Sequence, residues 1–120
     1  MIEVGARRRS QPAPPHVVVA ALVQPHHAAG RPWLRLLDDE HPPRVLEAEE
    51  PELVVWSSIW ARRPDALVRF ELPREAGGSG TDLRWVLLVA EPVPDASLLG
   101  QLRRRLDGLV NADLRYSFGQ

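Results

Sequence analysis

Hydrophobic and polar positions alternate in short segments through the middle of the chain and then change to a helical period. From residue 68 to residue 72, apolar side chains occupy every second position, with Arg69 and Glu71 between them. This period of two is typical of a half-buried β-strand. Segments of this kind predict four strands, at residues 44–49, 53–60, 67–72 and 81–90. Because the connections between them are short, the strands should form an antiparallel sheet.

Apolar residues recur every three or four positions between residues 96 and 118, which predicts one long C-terminal helix. Its apolar stripe consists of Leu98, Leu102, Leu106, Leu109, Val110 and Leu114. Asp95 is placed to cap this helix, because its side chain can accept a hydrogen bond from an amide of the first turn. Gly100 and Gly108 each weaken a helix by about 1 kcal/mol relative to Ala, so tertiary packing must hold this one.

Three further elements are predicted before the middle strands. The first nine residues alternate weakly, which favours a strand with Ile2, Val4 and Ala6 on one face. Pro14 and Pro15 then open an apolar stretch, and because proline is tolerated in the first turn of a helix, the part from His16 to Val23 is predicted as a helix. A short apolar piece at residues 33–37 is predicted as another strand. The order of strand, helix, antiparallel strands and long helix predicts a single α+β domain over the whole chain.

Composition excludes several kinds of chemistry. The 120 residues contain no cysteine, which excludes disulfides, thiolate metal sites and thiol nucleophiles. Every one of the 15 basic residues is Arg, so a Schiff-base lysine is absent and a GC-rich bacterial origin is suggested. The histidines, His16, His26, His27 and His41, show no ligand-like spacing, and we expect no metal and no cofactor. His16 could act as a general base only if it faced a cavity.

The charge pattern argues against two classes of partner. The formal net charge is −1, so the arginine triplets at residues 7–9 and 103–105 have no general positive field around them. We therefore expect no binding to nucleic acid, and we interpret the triplets as solvated strand and helix faces. No apolar run approaches the roughly 20 residues that span a bilayer, and the first residues lack a signal-peptide pattern. We expect no membrane association and a cytoplasmic location.

Short motifs stand in a characteristic order along nearly the whole chain. They are Ala13-Pro14-Pro15-His16-Val17-Val18, Pro43-Arg44-Val45-Leu46-Glu47-Ala48, Val54-Val55-Trp56-Ser57-Ser58, Arg63-Pro64-Asp65 and Gly80-Thr81-Asp82-Leu83-Arg84-Trp85. In this order they resemble the SRPBCC superfamily, the START-like or Bet v 1-like group that includes polyketide cyclases and activators of the Hsp90 ATPase. The resemblance implies a helix-grip fold, in which a curved antiparallel sheet wraps round a long C-terminal helix and leaves a deep apolar cavity.

The resemblance implies no single activity, because such relatives include cyclases, lipid carriers, hormone receptors and co-chaperones. One departure concerns the segment between the first helix and Trp33, which is short. We expect a second helix there to be reduced or absent, which would leave the cavity smaller or more open.

The candidate ligand-binding residues follow from strand parity and from the helical stripe. They are Trp56, Trp60, Phe70, Trp85, Leu87 and Leu106 for the apolar wall, with Asn111 and Arg115 as polar anchors one helical turn apart. An aromatic wall suits a flat ligand, because indole rings offer a large apolar area and an N–H. Two alternatives stay open. In the first, the tryptophans only fill the core of a small domain, and in the second, Asn111 and Arg115 belong to a solvated helix end.

Two functions are compatible with this pattern. The first is binding of a small hydrophobic or aromatic molecule between the sheet and the last helix, with any cyclase-like chemistry coming from orientation of the ligand. The second is a protein-interaction module like the co-chaperone relatives. The outward parity is also apolar, at Leu53, Val55, Ile59, Val86, Leu88 and Ala90. This predicts an apolar patch on the outer sheet face through which a homodimer could form.

Overall fold

The computed structural model describes residues 1–25, 33–73 and 80–118. Its strands are β1 (Ile2–Gln11), β2 (Val45–Glu49), β3 (Leu53–Ser57), β4 (Leu67–Glu71) and β5 (Thr81–Val89). Its helices are α1 (Pro15–Val23), α2 (Ala96–Gly108), a π-helical segment (Leu109–Leu114) and α3 (Arg115–Ser117). The four predicted middle strands and both predicted helices are confirmed, and β2 to β5 each lie within the predicted segments.

The strands form one five-stranded antiparallel sheet in the order β1-β5-β4-β3-β2. The N-terminal strand therefore pairs with the last strand, and β1 and β2 are the two edges. β2 is exposed along its whole length, and three of its five residues are Glu or Ala. Charged side chains are common on such edges, because they discourage pairing with another chain.

One face of the sheet and the helices enclose a single core. The inward strand residues are Val54, Trp56, Val68, Phe70, Leu83, Trp85, Leu87 and Val89, and all are buried. The same core contains Val18, Val19 and Leu22 of α1 and Leu102, Leu106, Leu109, Val110 and Leu114 of the C-terminal helical segments. The predicted inward parity of β3, β4 and β5 is confirmed, and the architecture is the expected α+β helix-grip arrangement.

The C-terminal helix continues without a break from α2 through the π-helical segment into α3, because the residues at both junctions keep right-handed helical backbone angles. Asp95 caps it as predicted, since its carboxylate accepts a hydrogen bond from the Leu98 amide at 2.8 Å. Gly108 stands at the change from α to π geometry, with φ −63° and ψ −42°.

The prediction of a strand at residues 33–37 was wrong. This segment is a loop in which Trp33 and Leu34 are buried. The Trp33 indole N–H donates to the Ala21 carbonyl of α1 at 2.8 Å, and its ring stacks on Trp56 with centroids 5.8 Å apart. The apolar pattern there arises from side-chain burial and not from strand pairing. The expected loss of a second helix falls largely on residues 26–32, which lie outside the described residues.

The predicted shared face of Ile2, Val4 and Ala6 was also wrong. The register between β1 and β5 shifts between Glu3 and Gly5. Such an irregularity reverses the inward and outward alternation beyond it. Ile2 therefore pairs on the inner face, whereas Ala6 lies on the outer face.

The strand predicted at residues 53–60 ends earlier than expected, at Ser57. The chain turns at Ser58, whose buried hydroxyl accepts a hydrogen bond from the Trp60 amide at 2.9 Å. Beyond this turn, Trp60 forms an isolated bridge with Glu40, and Ile59 is fully buried instead of lying on the outer face. Among the helices of the described ranges, none combines the length and the apolar character that crossing a bilayer requires.

Candidate functional site

A groove of about 300 Å³ lies between the edge strand β1 and helix α2. Its walls are formed by Val4, Gly5, Ala6, Arg7, Trp85, Arg103, Arg104 and Asp107. The register shift creates this lining, because it turns Gly5 and Arg7 toward the inner face, opposite Leu87 and Trp85. Ligand pockets typically begin at this volume and combine apolar surface with a few convergent polar groups.

The Asp107 carboxylate, which lines the groove, accepts three hydrogen bonds. Asp107 of α2 accepts hydrogen bonds from Arg9 at 2.8 Å and 2.6 Å and from the Trp85 indole N–H at 3.1 Å. The Arg9 hydrogen bond lowers the pKa of Asp107, burial opposes this, and the Trp85 hydrogen bond adds to the lowering. The side chains of Arg9 and Asp107 are 25% and 21% exposed, so the pair is partly shielded from water. Strand β1, strand β5 and helix α2 meet at this carboxylate.

Two glycines leave room for the arginines on the groove wall. A Cβ on Gly5 would stand 3.0 Å from Cγ of Arg103, so the absence of a side chain lets the Arg103 stem lie against β1. The Arg103 Nε then donates to the Val4 carbonyl at 2.6 Å. On α2 itself, a Cβ on Gly100 would stand 3.1 Å from a terminal nitrogen of Arg104. The Arg103 stem thus lies against β1, whereas the Arg104 guanidinium lies over Gly100 of its own helix.

The groove carries an excess of positive charge. Arg7, Arg103 and Arg104 are exposed, whereas the one carboxylate in the lining, Asp107, is already neutralised by Arg9. Within the described residues, Arg7 and Arg104 have neither a hydrogen-bond partner nor an ion-pair partner, and Arg103 uses only its Nε. Guanidinium groups with free N–H donors are suited to bind anions.

The six predicted wall residues do come together in the structure, but inside the core. Trp56, Trp60, Phe70, Trp85, Leu87 and Leu106 expose 2% of their surface or less. Trp56 meets Phe70 edge to face with ring centroids 4.7 Å apart and donates its N–H to the Leu22 carbonyl at 2.8 Å. Side chains this deeply buried have almost no surface that water can reach. Of the six, Trp85 is the one that also lines the groove.

The two predicted polar anchors lie apart from that cluster. Asn111 lies in the π-helical segment and Arg115 at the start of α3, and both are partly exposed. The neighbouring Val110 and Leu114 are the residues that enter the core. Asn111 and Arg115 therefore stand beside the buried face of the helix and do not line the described groove.

Sequence reasoning missed the residues that define the groove. The signal was present, because alternation along a strand places Arg7 and Arg9 on one face and Arg8 on the other. What sequence could not supply was the register shift that decides which face is the inner one. Without it, Asp107 had no visible partner.

A second missed interaction joins the loop at residues 33–44 to the helix. The Glu40 carboxylate is only 2% exposed and accepts hydrogen bonds from Arg105 at 2.8 Å and 2.9 Å and from the Leu37 amide at 2.9 Å. Burial raises the pKa of Glu40, but the hydrogen bonds from Arg105, Leu37 and Trp60 outweigh burial and lower it overall. The last arginine of the second triplet is therefore structural.

Among the described residues, no group of side chains forms a candidate metal site. Within the described ranges, no three His, Asp or Glu residues are close enough to share an ion. His16 and His41 are exposed, and His16 does not line the described groove. The other pair, His26 and His27, lies outside the described residues.

Comparisons with known proteins agree with this architecture at the level of the fold. No protein-family model matches the chain, and no curated protein matches it. Among solved structures, the crystal structure of CalU16 from Micromonospora echinospora superposes with a TM-score of 0.63 at 21% identity. It covers 92% of this chain, which spans 70% of the CalU16 chain.

Two further structures give the same result. The solution structure of CalU16 has a TM-score of 0.67 at 18% identity, with 93% of this chain and 63% of that chain covered. Ara h 8.0201 has a TM-score of 0.53 at 10% identity, with 97% of both chains covered. The chain therefore has the fold of these structures, which is the helix-grip arrangement that the sequence motifs indicated.

Proposed function

We propose that this protein binds a small hydrophobic or aromatic molecule between the sheet and the C-terminal helix, and that the groove between β1 and α2 is where the molecule enters. The observation that carries the proposal is this groove, with the Trp85 indole in its wall. Trp85 is only 2% exposed, so a ligand at the groove meets a small part of its ring, and the groove must widen for a flat ligand to stack on it. Support also comes from the fold, because a sheet wrapped round a long helix can enclose a hydrophobic ligand.

The buried aromatic cluster sets a condition on this proposal. Trp56 and Phe70 are packed against each other and have no water-accessible surface. A ligand that reached them would have to displace core packing. Trp85 is in contact with both the groove and the core, so we place the first contact of the ligand at Trp85.

Catalysis would depend on orientation. Cysteine and lysine are absent from the chain, and His16 is exposed. A cyclase-like reaction would use the groove to hold a flexible substrate in a reactive shape, a contribution that does not require a strong nucleophile. Ligand binding is the part of the proposal that is tested first.

The test is titration with the neutral dye N-phenyl-1-naphthylamine, followed by tryptophan quenching and by dye emission. We expect saturable binding, weakened about fivefold in Trp85→Leu because the aromatic contact is lost. Trp33→Leu is the matched control, since it removes a buried indole that does not line the groove. No saturable binding to the wild-type protein would refute the proposal.

A protein-interaction module is the second candidate, and the outer sheet face is the surface that it would use. There Leu53, Val55, Leu67 and Leu88 are half-buried and stand among ion pairs. A homodimer through this face remains a prediction.

A further inference from the structure

The two arginine triplets of the sequence meet across the groove, although they are almost a hundred residues apart. Arg7 comes from β1, and Arg103 and Arg104 come from α2. Strand alternation sends Arg8 to the opposite face, where it pairs with Asp82, and Arg105 turns away to Glu40. The three arginines that remain at the groove are those without a carboxylate partner of their own among the described residues.

The chain as a whole has a formal net charge of −1, so positive charge at the groove is a local feature. Acidic side chains form ion pairs with Arg8, Arg9, Arg62, Arg63, Arg69, Arg84 and Arg105. Among the described residues that do not line the groove, Arg35, Arg44 and Arg115 have no ion pair. At the groove, the one carboxylate in the lining, Asp107, is satisfied by Arg9 and Trp85. Positive charge is thus concentrated at one concave place that also holds an indole ring.

We propose that the groove recognises the anionic group of an aromatic ligand, with Arg103 and Arg104 binding the anion and Arg7 facing it from β1. The inference rests on the proposed function and names the class of its ligand: a flat ring system that carries a carboxylate or sulfonate. The ring lies toward Trp85, and the anion lies toward the mouth of the groove.

The position of Arg103 supports a binding role over a purely solvated one. Its stem is held over Gly5 and its Nε is fixed by the Val4 carbonyl at 2.6 Å. A side chain held at both points has already lost much of its conformational freedom. Its terminal nitrogens can then bind an anion at a lower entropic cost than a free surface arginine.

A matched pair of dyes separates this inference from the proposed function. 1-Anilinonaphthalene-8-sulfonate and N-phenyl-1-naphthylamine share one ring system, and only the first carries a negative charge. In Arg103→Gln/Arg104→Gln, we expect affinity for the sulfonate dye to fall about tenfold, while affinity for the neutral dye stays within about twofold. Arg8→Gln is the control, because it removes the same charge from the outer face.

Salt provides a second measurement that needs no variant. Raising the ionic strength from about 0.05 M to about 1 M should weaken sulfonate binding several-fold in the wild-type protein. The neutral dye should be insensitive to salt. This part of the test holds even if the double variant fails to fold.

The outcomes are distinct for the two proposals. Anion recognition would be overturned if the affinity for the sulfonate dye changed neither with salt nor in the double variant. It would also be overturned if the sulfonate dye did not bind at all. Failure of the neutral dye alone would instead overturn the proposed function. Displacement of the sulfonate dye by oligothymidylate at lower concentrations than by 1-naphthoate would overturn the inference in favour of nucleic acid.

Discussion

Three tryptophan N–H groups donate to acceptors on a different element. Trp33 reaches the Ala21 carbonyl and Trp56 the Leu22 carbonyl, both in α1, and Trp85 reaches Asp107 in α2. A buried N–H without an acceptor costs about 1–3 kcal/mol, so each indole has one preferred position. The Trp56 and Trp85 hydrogen bonds help to hold α1 and α2 against the sheet, and the Trp33 hydrogen bond joins the loop at residues 33–44 to α1.

Asp107→Asn tests the most connected polar residue of the groove. The Asn side chain is neutral and loses the two charge-assisted bonds from Arg9, so we expect the free energy of unfolding to fall by about 1–2 kcal/mol at pH 7. Because the folded-state pKa of Asp107 lies below its ordinary value of 3.8, the stabilisation is complete above that value. It is lost as the pH falls through the lower folded-state pKa.

Urea unfolding of both proteins between about pH 2 and pH 7 measures this difference. The gap between wild type and variant should be largest at neutral pH and should close toward pH 2. Asp82→Asn is the control, since its pair with Arg8 is 47% and 62% exposed and should contribute little. A gap that does not change with pH would show that the loss is not electrostatic.

The secondary structure divides each arginine triplet between the groove and an ion pair elsewhere. On β1 the period of two separates Arg8 from Arg7 and Arg9, and on α2 the rotation of about 100° per residue separates Arg105 from Arg103 and Arg104. Each triplet therefore contributes to the groove and also to an ion pair elsewhere. The local geometry of strand and helix is sufficient to explain this division.

The loop at residues 33–44 depends on one buried ion pair with the C-terminal helix. Glu40→Gln removes the charge that Arg105 binds, and we expect a loss of about 2 kcal/mol in the free energy of unfolding. Hydrogen exchange should also accelerate at the amides of Leu37 and His41, which this loop holds in hydrogen bonds.

Asp39→Asn is the matched control for that loop. Asp39 is the neighbouring carboxylate, and its pair with Arg62 is 3.8 Å long, with side chains 55% and 48% exposed. A change within about 0.5 kcal/mol is expected, because exposed pairs contribute little. Equal losses in the two variants would contradict the structural role of Glu40.

At the scale of the whole molecule, the outer sheet face combines apolar and charged residues. Arg69 and Arg84 both bind Glu71, at 2.8 Å and 2.7 Å, in the middle of this face. Val86 is fully buried even though its register places it on the outer face between Ala6 and Arg69. The apolar stems of arginine can cover such a residue while their charged ends reach water.

The predicted homodimer can be tested on this face by sedimentation velocity. If the face pairs two copies, the wild-type protein should show dimer at high micromolar concentration, and Val55→Arg should show monomer. Val55 lies in the middle of β3, between Glu47 and Arg69 of the neighbouring strands. Monomer at every concentration for the wild-type protein would refute the dimer.

The sequence alone was sufficient for the strands β2 to β5, for both helices and for the inward face of Trp56, Phe70 and Trp85. These features follow from periodicity, which is a local property of a chain that buries one face. The wrong prediction of a strand at residues 33–37 has the same origin. Burial of Trp33 and Leu34 looked like a strand, because side-chain burial and backbone pairing leave similar patterns in a short segment.

Only the tertiary structure decided the candidate site. The shift between Glu3 and Gly5 sets which side of β1 faces α2. A glycine within a strand is compatible with such an irregularity, but Gly5 alone does not fix the register. The partners Arg9 and Asp107 are 98 residues apart, and Glu40 and Arg105 are 65 apart. The sequence determined the elements and their buried faces, because these depend on neighbours along the chain. The groove and its charges depend on which distant side chains the packed elements bring within a few ångströms of each other.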